Sequence, residues 1–404
     1  MSRRIHSLIL ALFAATAPAQ EPDTRATLIR AGKVLTMAGK EPVMLDGEVL
    51  VRAGKIVAVG RAIPVGKDTI IRDFPDQILV PGFVELHCHV GVSSGDTNDT
   101  VLPHNMDLRT IDTVMKNSDE LLDAARAGVT TALIIPGSGS TIGGLGTIVK
   151  TGHGLLKDRL VRYPGALKIA LHARGGNPAR AAGDLGSGRL GLHYMLKVVM
   201  AEARDYHHAW TKHEEGGGPR PKFNPRLDPL RGLFRREFPV ILHAYGQNDT
   251  MTAIRILKWG LELPIVISHG VYDSFKIKAE LSKQGVPMNL GPRQYEFYHG
   301  AFVGNAAELQ EAGVPVSICT DAPVVAADQL PLQAAMAVRM GLDDWAALRG
   351  LTIEPSKAVF IDDRVGSIEP GKDADLVVFP GDPLDPRNPP SMVMIDGRMI
   401  VEHQ

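Results

Sequence analysis

The chain has 404 residues, 44% of them hydrophobic and 22% charged, with a formal net charge of −1. This is the composition of an ordinary globular protein, long enough for a large core and two domains. The near-neutral charge removes any electrostatic reason to expect nucleic acid as a partner.

The first twenty residues differ from the rest. Arg3 and Arg4 precede an apolar run from Leu8 to Ala15, and Ala17-Pro-Ala19 follows. A positive segment, a short apolar stretch and an A-x-A site form the layout of a secretory signal. Residues 1–19 are therefore expected to be cleaved, giving an exported protein, periplasmic or secreted. The run is too short to span a bilayer, and no other stretch approaches that length, so no membrane span is expected.

Residues 20–80 read as a chain of short strands. Leu28-Ile-Arg and Lys33-Val-Leu-Thr are followed by Gly47-Glu-Val-Leu-Val-Arg and Lys55-Ile-Val-Ala-Val-Gly60, with Gly, Pro and Asp between them. That spacing predicts an antiparallel β-unit. Residues 353–404 show the same pattern, with strands from Ala374 to Phe379 and from Ser391 to Val401, the second broken by Asp396-Gly397 as a hairpin turn. Both ends are β, so they are expected to pair into one small β-sandwich.

The middle, residues 81–352, alternates apolar strands with helical stretches. Eight strands are predicted, at 83–89, 129–135, 146–150, 167–172, 239–243, 264–269, 286–290 and 315–321. Helices are expected over Ser118–Ala127, with Ser118 as N-cap and Gly128 as stop, over Asp249–Gly260 and over Ala306–Gly313. The fold class is α/β, and the architecture is a (β/α)₈ TIM-like barrel. The connection 173–238 is too long for a plain link. It carries a helix, Leu190–Trp210, and then the Gly/Pro-rich Gly216–Pro229, read as a mobile surface loop, either a lid or an insertion without function.

Polar groups that act in such a barrel lie at the C-terminal ends of its strands. The first strand ends in His87 and His89, one residue apart and so on one side of it. The fifth ends in His243, the sixth in His269 and the eighth in Asp321. Each follows an apolar run, where a solvated face would place no such group. Neutral imidazoles and a carboxylate suit Zn²⁺, and also Mn²⁺, Fe²⁺ or Co²⁺. A metal held there lowers the pKa of a bound water to about 7. The two cysteines, Cys88 and Cys319, are expected as buried thiols that act as small apolar groups.

These pieces resemble the amidohydrolase superfamily of metal-dependent hydrolases, within it the imidazolonepropionase-like branch. The matching motifs are Pro81-Gly-Phe-Val-Glu-Leu-His-Cys-His89, His243-Ala, His269-Gly, Thr320-Asp321-Ala-Pro, Thr352-Ile-Glu-Pro-Ser-Lys-Ala and Val365-Gly-Ser-Ile-Glu-Pro-Gly-Lys-Asp-Ala-Asp-Leu-Val-Val. The resemblance implies metal binding by His87, His89, His243 and His269. It assigns Asp321 both metal binding and proton transfer, and implies a β-sandwich built from the two ends.

One departure concerns the number of metals. Two-metal relatives carry a bridging carboxylated lysine or a glutamate at the end of strand four, usually just before Asn-Pro. Here the stretch reads Lys168-Ile-Ala-Leu-His-Ala-Arg-Gly-Gly-Asn177-Pro178, with Gly176 in the place of the glutamate. Lys168 lies early in the predicted strand and His172 nearer its end. One metal per chain, most simply Zn²⁺, is therefore expected. Two remain open through a carboxylated Lys168 or through His172. Three further residues are weaker. Gly143-Gly-Leu-Gly146 lacks the Lys-Ser/Thr of a phosphate loop and reads as a turn beside the pocket. Arg293 is placed to pair with a substrate carboxylate or to sit at the surface. Tyr206 lies where relatives offer a donor to the reacting oxygen.

The function expected is hydrolysis of a C–N bond, in an amide, a cyclic amide or a dipeptide. Hydroxide attacks the carbon, Asp321 shuttles the proton, and the metal and His269 stabilise the oxyanion. The alternatives are a cyclic deaminase of the same superfamily and a non-catalytic barrel kept for assembly. The partner expected is a small-molecule substrate. The sequence names neither that substrate nor the residues that bind it, and it is compatible with a homo-oligomer.

Overall fold

A computed structural model describes residues 25–39, 41–93, 95–171 and 188–402. The expected signal segment 1–19 lies outside these residues, and so do His172, Ala173, Arg174, Gly176, Asn177 and Pro178.

The N-terminal end supplies β1 (Thr27–Leu35), β2 (Val43–Arg52), β3 (Lys55–Gly60) and β4 (Ile70–Pro81). The central strands are β5 (Phe83–Cys88), β6 (Val129–Ile134), β7 (Ile142–Lys150), β8 (Leu160–Ala170), β9 (Val240–Ala244), β10 (Ile265–His269) and β11 (Met288–Leu290). A hairpin of β12 (Tyr295–Tyr298) and β13 (Ala301–Gly304) precedes β14 (Val316–Ile318), and β15 (Leu376–Phe379), β16 (Met392–Ile395) and β17 (Arg398–Glu402) end the chain.

Among the described residues, β5 to β11 and β14 form an eight-stranded sheet in the order β14-β11-β10-β9-β8-β7-β6-β5. It closes on itself: the His89 amide donates to the Ala322 carbonyl at 2.8 Å, beside a parallel bridge from Cys88 to Ala322. Every residue of β5, β6, β7, β9, β10, β11 and β14 is buried, as expected of strands covered on both faces.

The barrel departs from a strict (β/α)₈ plan at one strand. The stretch read as a parallel strand at 146–150 belongs to β7, which runs antiparallel to both β6 and β8. Connection length gives the reason. Residues 135–141 and 151–159 link β7 to its neighbours, and a parallel crossover needs a dozen residues or more. Gly143-Gly-Leu-Gly146 is correspondingly not a turn but part of β7. Gly144 sits at φ +120°, and a Cβ there would lie 2.5 Å from the Leu108 carbonyl oxygen. The fourth predicted strand also moves, from 167–172 to 160–170.

The helices follow their sequence signals. Asp119–Arg126 starts at Ser118, whose Oγ accepts from the Leu121 amide at 3.3 Å. Arg189–Glu214 fills the first part of the long connection. Gly246–Ala253 continues into a wider turn over Ile254–Trp259, and Asn305–Glu311 precedes β14. The Gly216–Pro229 loop is tied down: Arg226 donates to the His104 carbonyl and lies 3.8 Å from Asp107, and Tyr206 donates to Asp228 at 3.1 Å.

The two chain ends do meet, but as a single sheet of seven strands among the described residues, ordered β17-β16-β15-β4-β1-β2-β3. β15 pairs antiparallel with β4, which joins the C-terminal strands to the N-terminal ones. Backbone bonds from Ile56 to Lys372 and from Ala374 to Gly54, both about 2.8–2.9 Å, curl the β2–β3 hairpin over the C-terminal segment. The sheet thus encloses its own core of Ile29, Val34, Val49, Phe74, Leu376 and Met392. Cys88 and Cys319 are free and buried. No helix among the described residues is long and apolar enough to cross a membrane.

Candidate metal centre

The structure brings His87, His89, His243, His269 and Asp321 to one place at the C-terminal ends of β5, β9, β10 and β14. Two sets of side-chain atoms each lie within 4.8 Å of one another: His87, His243 and His269 form one, and His87, His89 and Asp321 the other. Asp321 Oδ1 is 3.4 Å from His87 Nε2 and 3.3 Å from His89 Nε2. The His243 and His269 rings are 4.3 Å apart, and those of His87 and His269 4.4 Å.

Backbone strain helps this convergence. Successive side chains of a strand point to opposite faces, yet Ser268 and His269 both reach His87. His269 has φ +74° and Asp321 φ +53°, left-handed values that non-glycine residues adopt at a cost of about 1–3 kcal/mol. Such outliers are held only where the surroundings over-determine them, which is common at working sites.

Each histidine is fixed through Nδ1. His89 Nδ1 donates to the Ile135 carbonyl at 2.9 Å, and His269 Nδ1 to the Gly291 carbonyl at 2.9 Å. A carbonyl oxygen only accepts, so Nδ1 carries the hydrogen in both rings, and the neutral form of such a ring keeps its lone pair on Nε2. His87 Nδ1 meets Ser268 Oγ at 2.5 Å, and His243 Nδ1 meets Ser138 Oγ at 2.9 Å. The carbonyl that orients His269 depends on a glycine. Gly291 sits at φ +139°, and a Cβ there would lie 2.0 Å from the Cys319 carbonyl oxygen.

These residues fit a divalent cation. His269 Nε2 is buried and has no hydrogen-bond partner, a costly arrangement that a ligand bond would satisfy. Burial above all holds the His87 imidazole well below its ordinary pKa, with Lys168 and the neighbouring histidines adding to it. Burial likewise lowers His269 to about 4, against the opposing pull of Asp321. Both are therefore neutral at pH 7, the state a metal ligand needs. Burial works to raise the Asp321 carboxyl, but His89 at 3.3 Å, with His269 and Lys168, outweighs it and leaves the group below its ordinary value.

Three residues here were not legible as parts of the site. Glu85 is fully buried; its carboxylate accepts from the His87 amide at 2.8 Å, the Thr320 amide at 2.8 Å and Thr320 Oγ1 at 2.7 Å. It ties β5 to the turn that carries Asp321. Burial pushes its pKa up to about 7, with those hydrogen bonds opposing. The signal was available: a carboxylate two residues before His87 in an otherwise apolar run. Ser138 and Ser268, which orient His243 and His87, carried no signal, since nothing local distinguishes them from other serines.

Lys168 is the main positional correction. Because β8 ends at Ala170, Lys168 lies near the strand's end rather than early in it. Its Nζ is 3.0 Å from His87 Nε2, and burial lowers its pKa to about 7, with Asp321 opposing. The other candidates are engaged elsewhere. Arg293 pairs with Glu296 at 2.7 Å and donates to the Tyr295 carbonyl at 3.1 Å. The Tyr206 hydroxyl is shared between Asp228 and the Asn224 amide, and its ring packs near Trp210.

The profile of the amidohydrolase family matches residues 78–400. An amidohydrolase (tasK) of Hapsidospora irregularis is 28% identical over 397 residues, covering 87% of this chain but only 39% of that longer protein. An imidazolonepropionase of Symbiobacterium thermophilum is 26% identical over 399 residues, covering 87% of this chain and 90% of its own. The crystal structure of an amidohydrolase from Thermotoga maritima superposes with a TM-score of 0.83 at 29% identity, over 93% of this chain and 100% of that one.

Proposed function

The chain belongs to the amidohydrolase family, in its imidazolonepropionase-like branch, and on that premise we propose that it hydrolyses the C–N bond of a small molecule. The bond class is an amide, a cyclic amide or a dipeptide. His87, His89, His243, His269 and Asp321 hold the metal, with zinc as the cation these donors suit best. The observation that carries this reading is the gathering of four oriented histidines and Asp321 into two donor sets that share His87, with the His269 Nε2 lone pair buried and unpartnered.

When bound, the cation supplies Lewis acidity and brings the pKa of water to about 7. The chain's own residues do the rest. Asp321, held below its ordinary pKa, is ionised at neutral pH and takes the proton of the attacking water. It returns that proton to the departing nitrogen, so the C–O bond forms as the C–N bond breaks and an amine leaves. Glu85 keeps the Asp321 turn against β5 during this transfer. His269 acts as a ligand only. Its Nδ1 hydrogen is committed to Gly291, so Nε2 has no hydrogen to offer an oxyanion, and the donor role expected for it does not fit this tautomer.

Lys168 supports a second metal rather than the single one expected. Its amine is pressed toward neutrality at the junction of the two donor sets. Addition of carbon dioxide to that amine, with loss of one proton, would give an anionic carbamate on Lys168, beside the His87 that both donor sets share. Such an anion would offset the repulsion between two cations held by these residues.

Metal analysis of the purified protein, joined to a panel of N-acyl amino acids, dipeptides, lactams and amino-heterocycles, tests the proposal. Turnover of an amide that disappears in Asp321→Asn supports it. Ammonia release from amino-heterocycles alone assigns the cyclic deaminase alternative instead. Protein that takes up no divalent metal and turns over none of them overturns it. The Arg3–Ala19 segment further supports export, which N-terminal sequencing of secreted protein beginning at Gln20 checks.

A further inference from the structure

Beside the His243 and His269 rings stands a run of aromatic groups that the hydrolytic chemistry leaves unused. The Tyr245 ring centroid is 4.6 Å from that of His243 and 5.9 Å from that of His269. Tyr272 follows at 5.6 Å from Tyr245, with the two rings perpendicular. The Arg293 guanidinium lies 5.6 Å from the Tyr272 ring centre.

Tyr272 is held at φ +67°, where a bulky side chain is a genuine outlier. Burial does not repay this strain, because Tyr272 remains 51% exposed. The conformation is instead enforced from outside. The Tyr272 amide donates to Glu296 Oε1 at 2.7 Å, and Glu296, itself buried, pairs with Arg293 at 2.7 Å. Asp273, the next residue, accepts from the Gln247 amide at 2.8 Å, which ties Tyr272 to the first turn of the helix that follows His243. The β12 strand and the first turn of the Gly246–Ala253 helix thus cooperate to present one ring outward, next to the Tyr245 ring that packs on the metal-site histidines. The Arg293 charge is matched by Glu296, so this wall is aromatic and electrostatically balanced.

We propose that Tyr272, with Tyr245, forms a substrate subsite for an uncharged aromatic side group carried next to the scissile C–N bond. The inference rests on the reading of the adjacent centre as hydrolytic. The half-exposed Tyr272 ring, edge-on to Tyr245, offers a third ring a stacked or edge contact, the arrangements aromatic groups prefer. The preferred substrates are accordingly amides or dipeptides with a phenylalanine-like group, over those with a methyl group at the same place.

Calorimetric titration of the zinc-loaded protein with N-methylphosphonyl-L-phenylalanine and N-methylphosphonyl-L-alanine tests this. Neither compound can be hydrolysed at a C–N amide, so binding is read apart from turnover. In the unaltered protein the phenylalanine compound should bind about 10-fold more tightly, the scale of a buried aromatic contact. Tyr272→Gly suits the test, because glycine adopts φ +67° without strain and the fold is kept. In that variant the ratio should fall to about 2 or below, while zinc content and affinity for the alanine compound hold. Tyr272→Phe should retain the ratio. Binding of both compounds with a ratio near one in the unaltered protein, or a ratio that survives Tyr272→Gly, overturns the subsite alone. Binding of neither to zinc-loaded protein overturns the subsite, while the hydrolytic reading falls only if the substrate panel also shows no turnover.

Discussion

Lys150 and Lys168 are both fully buried, on the neighbouring strands β7 and β8, yet they live in opposite environments. Lys150 pairs in register with Thr131 near the start of β6, while Lys168 pairs with Gly144 near the start of β7, at the other end of the barrel. Lys150 is met by Asp375 at 2.6 Å, Asp373 at 3.0 Å and Asp396 at 3.5 Å. Burial would lower its pKa, but the aspartates more than reverse this, and it stays charged. Lys168 meets an imidazole instead, and burial brings it to about 7. A buried cation surrounded by counter-ions is architecture. Here it clasps the curled terminal sheet to the barrel, because Asp373, Asp375 and Asp396 all come from the C-terminal end. A buried amine beside a lone pair is a group with its chemistry still available.

The largest effect expected from this contrast is at Lys150. Lys150→Met leaves the buried Asp375 without its cation and removes one from Asp373, and should cost about 3–5 kcal/mol. Urea unfolding measures it, and a loss below about 1 kcal/mol would break the architectural reading of the clasp. The next is chemical. Asp321→Asn keeps size and removes the base, so turnover of any confirmed substrate should fall at least about 10²-fold while stability changes little. Near-normal turnover in that variant would sink the proton-transfer role.

Lys168→Ala sharpens the comparison from the other side. Metal content should drop from two equivalents per chain to one, with a smaller loss of stability than Lys150→Met. Two equivalents retained in Lys168→Ala would show that no carbamate bridges them. The smallest effect is a pH dependence. Burial would raise Asp373, but Lys150, Lys55 and Arg364 outweigh it, and its pKa lies below the ordinary value. A depressed carboxyl contributes stability that is present above the unfolded pKa of about 4 and lost as pH falls through the folded one. The urea midpoint should therefore drop between pH 6 and pH 3, and that drop should shrink in Lys150→Met. An identical acid response in both proteins would remove Asp373 from the clasp.

Much of the centre was readable along the chain because each ligand candidate interrupts a run of opposite character. An apolar strand that ends in His243 or Asp321 announces its end by composition alone, and barrel topology then gathers such ends on one face. The Ser118 cap was readable because a cap bonds within three residues. In the same way, β-character at both termini announced that the ends are sheet, though not that they form one curled sheet.

What the sequence by itself determined is therefore local: where the strands and helices fall, and which polar groups sit at their ends. Tertiary structure alone decided the rest. A strand's side-chain period is the same in either direction, so the reversal of β7 emerges only from its short connections. Lys168 and Lys150 read alike as lysines in apolar strands. Their partners, His87 on one side and Asp373, Asp375 and Asp396 on the other, lie 81 to 246 residues away in the chain. Glu85 bonds Thr320 across 235 residues, and Tyr272 is turned outward by Glu296. A charge state, a tautomer or a strained φ depends on what burial brings within about 3 Å, and no local pattern carries that distance.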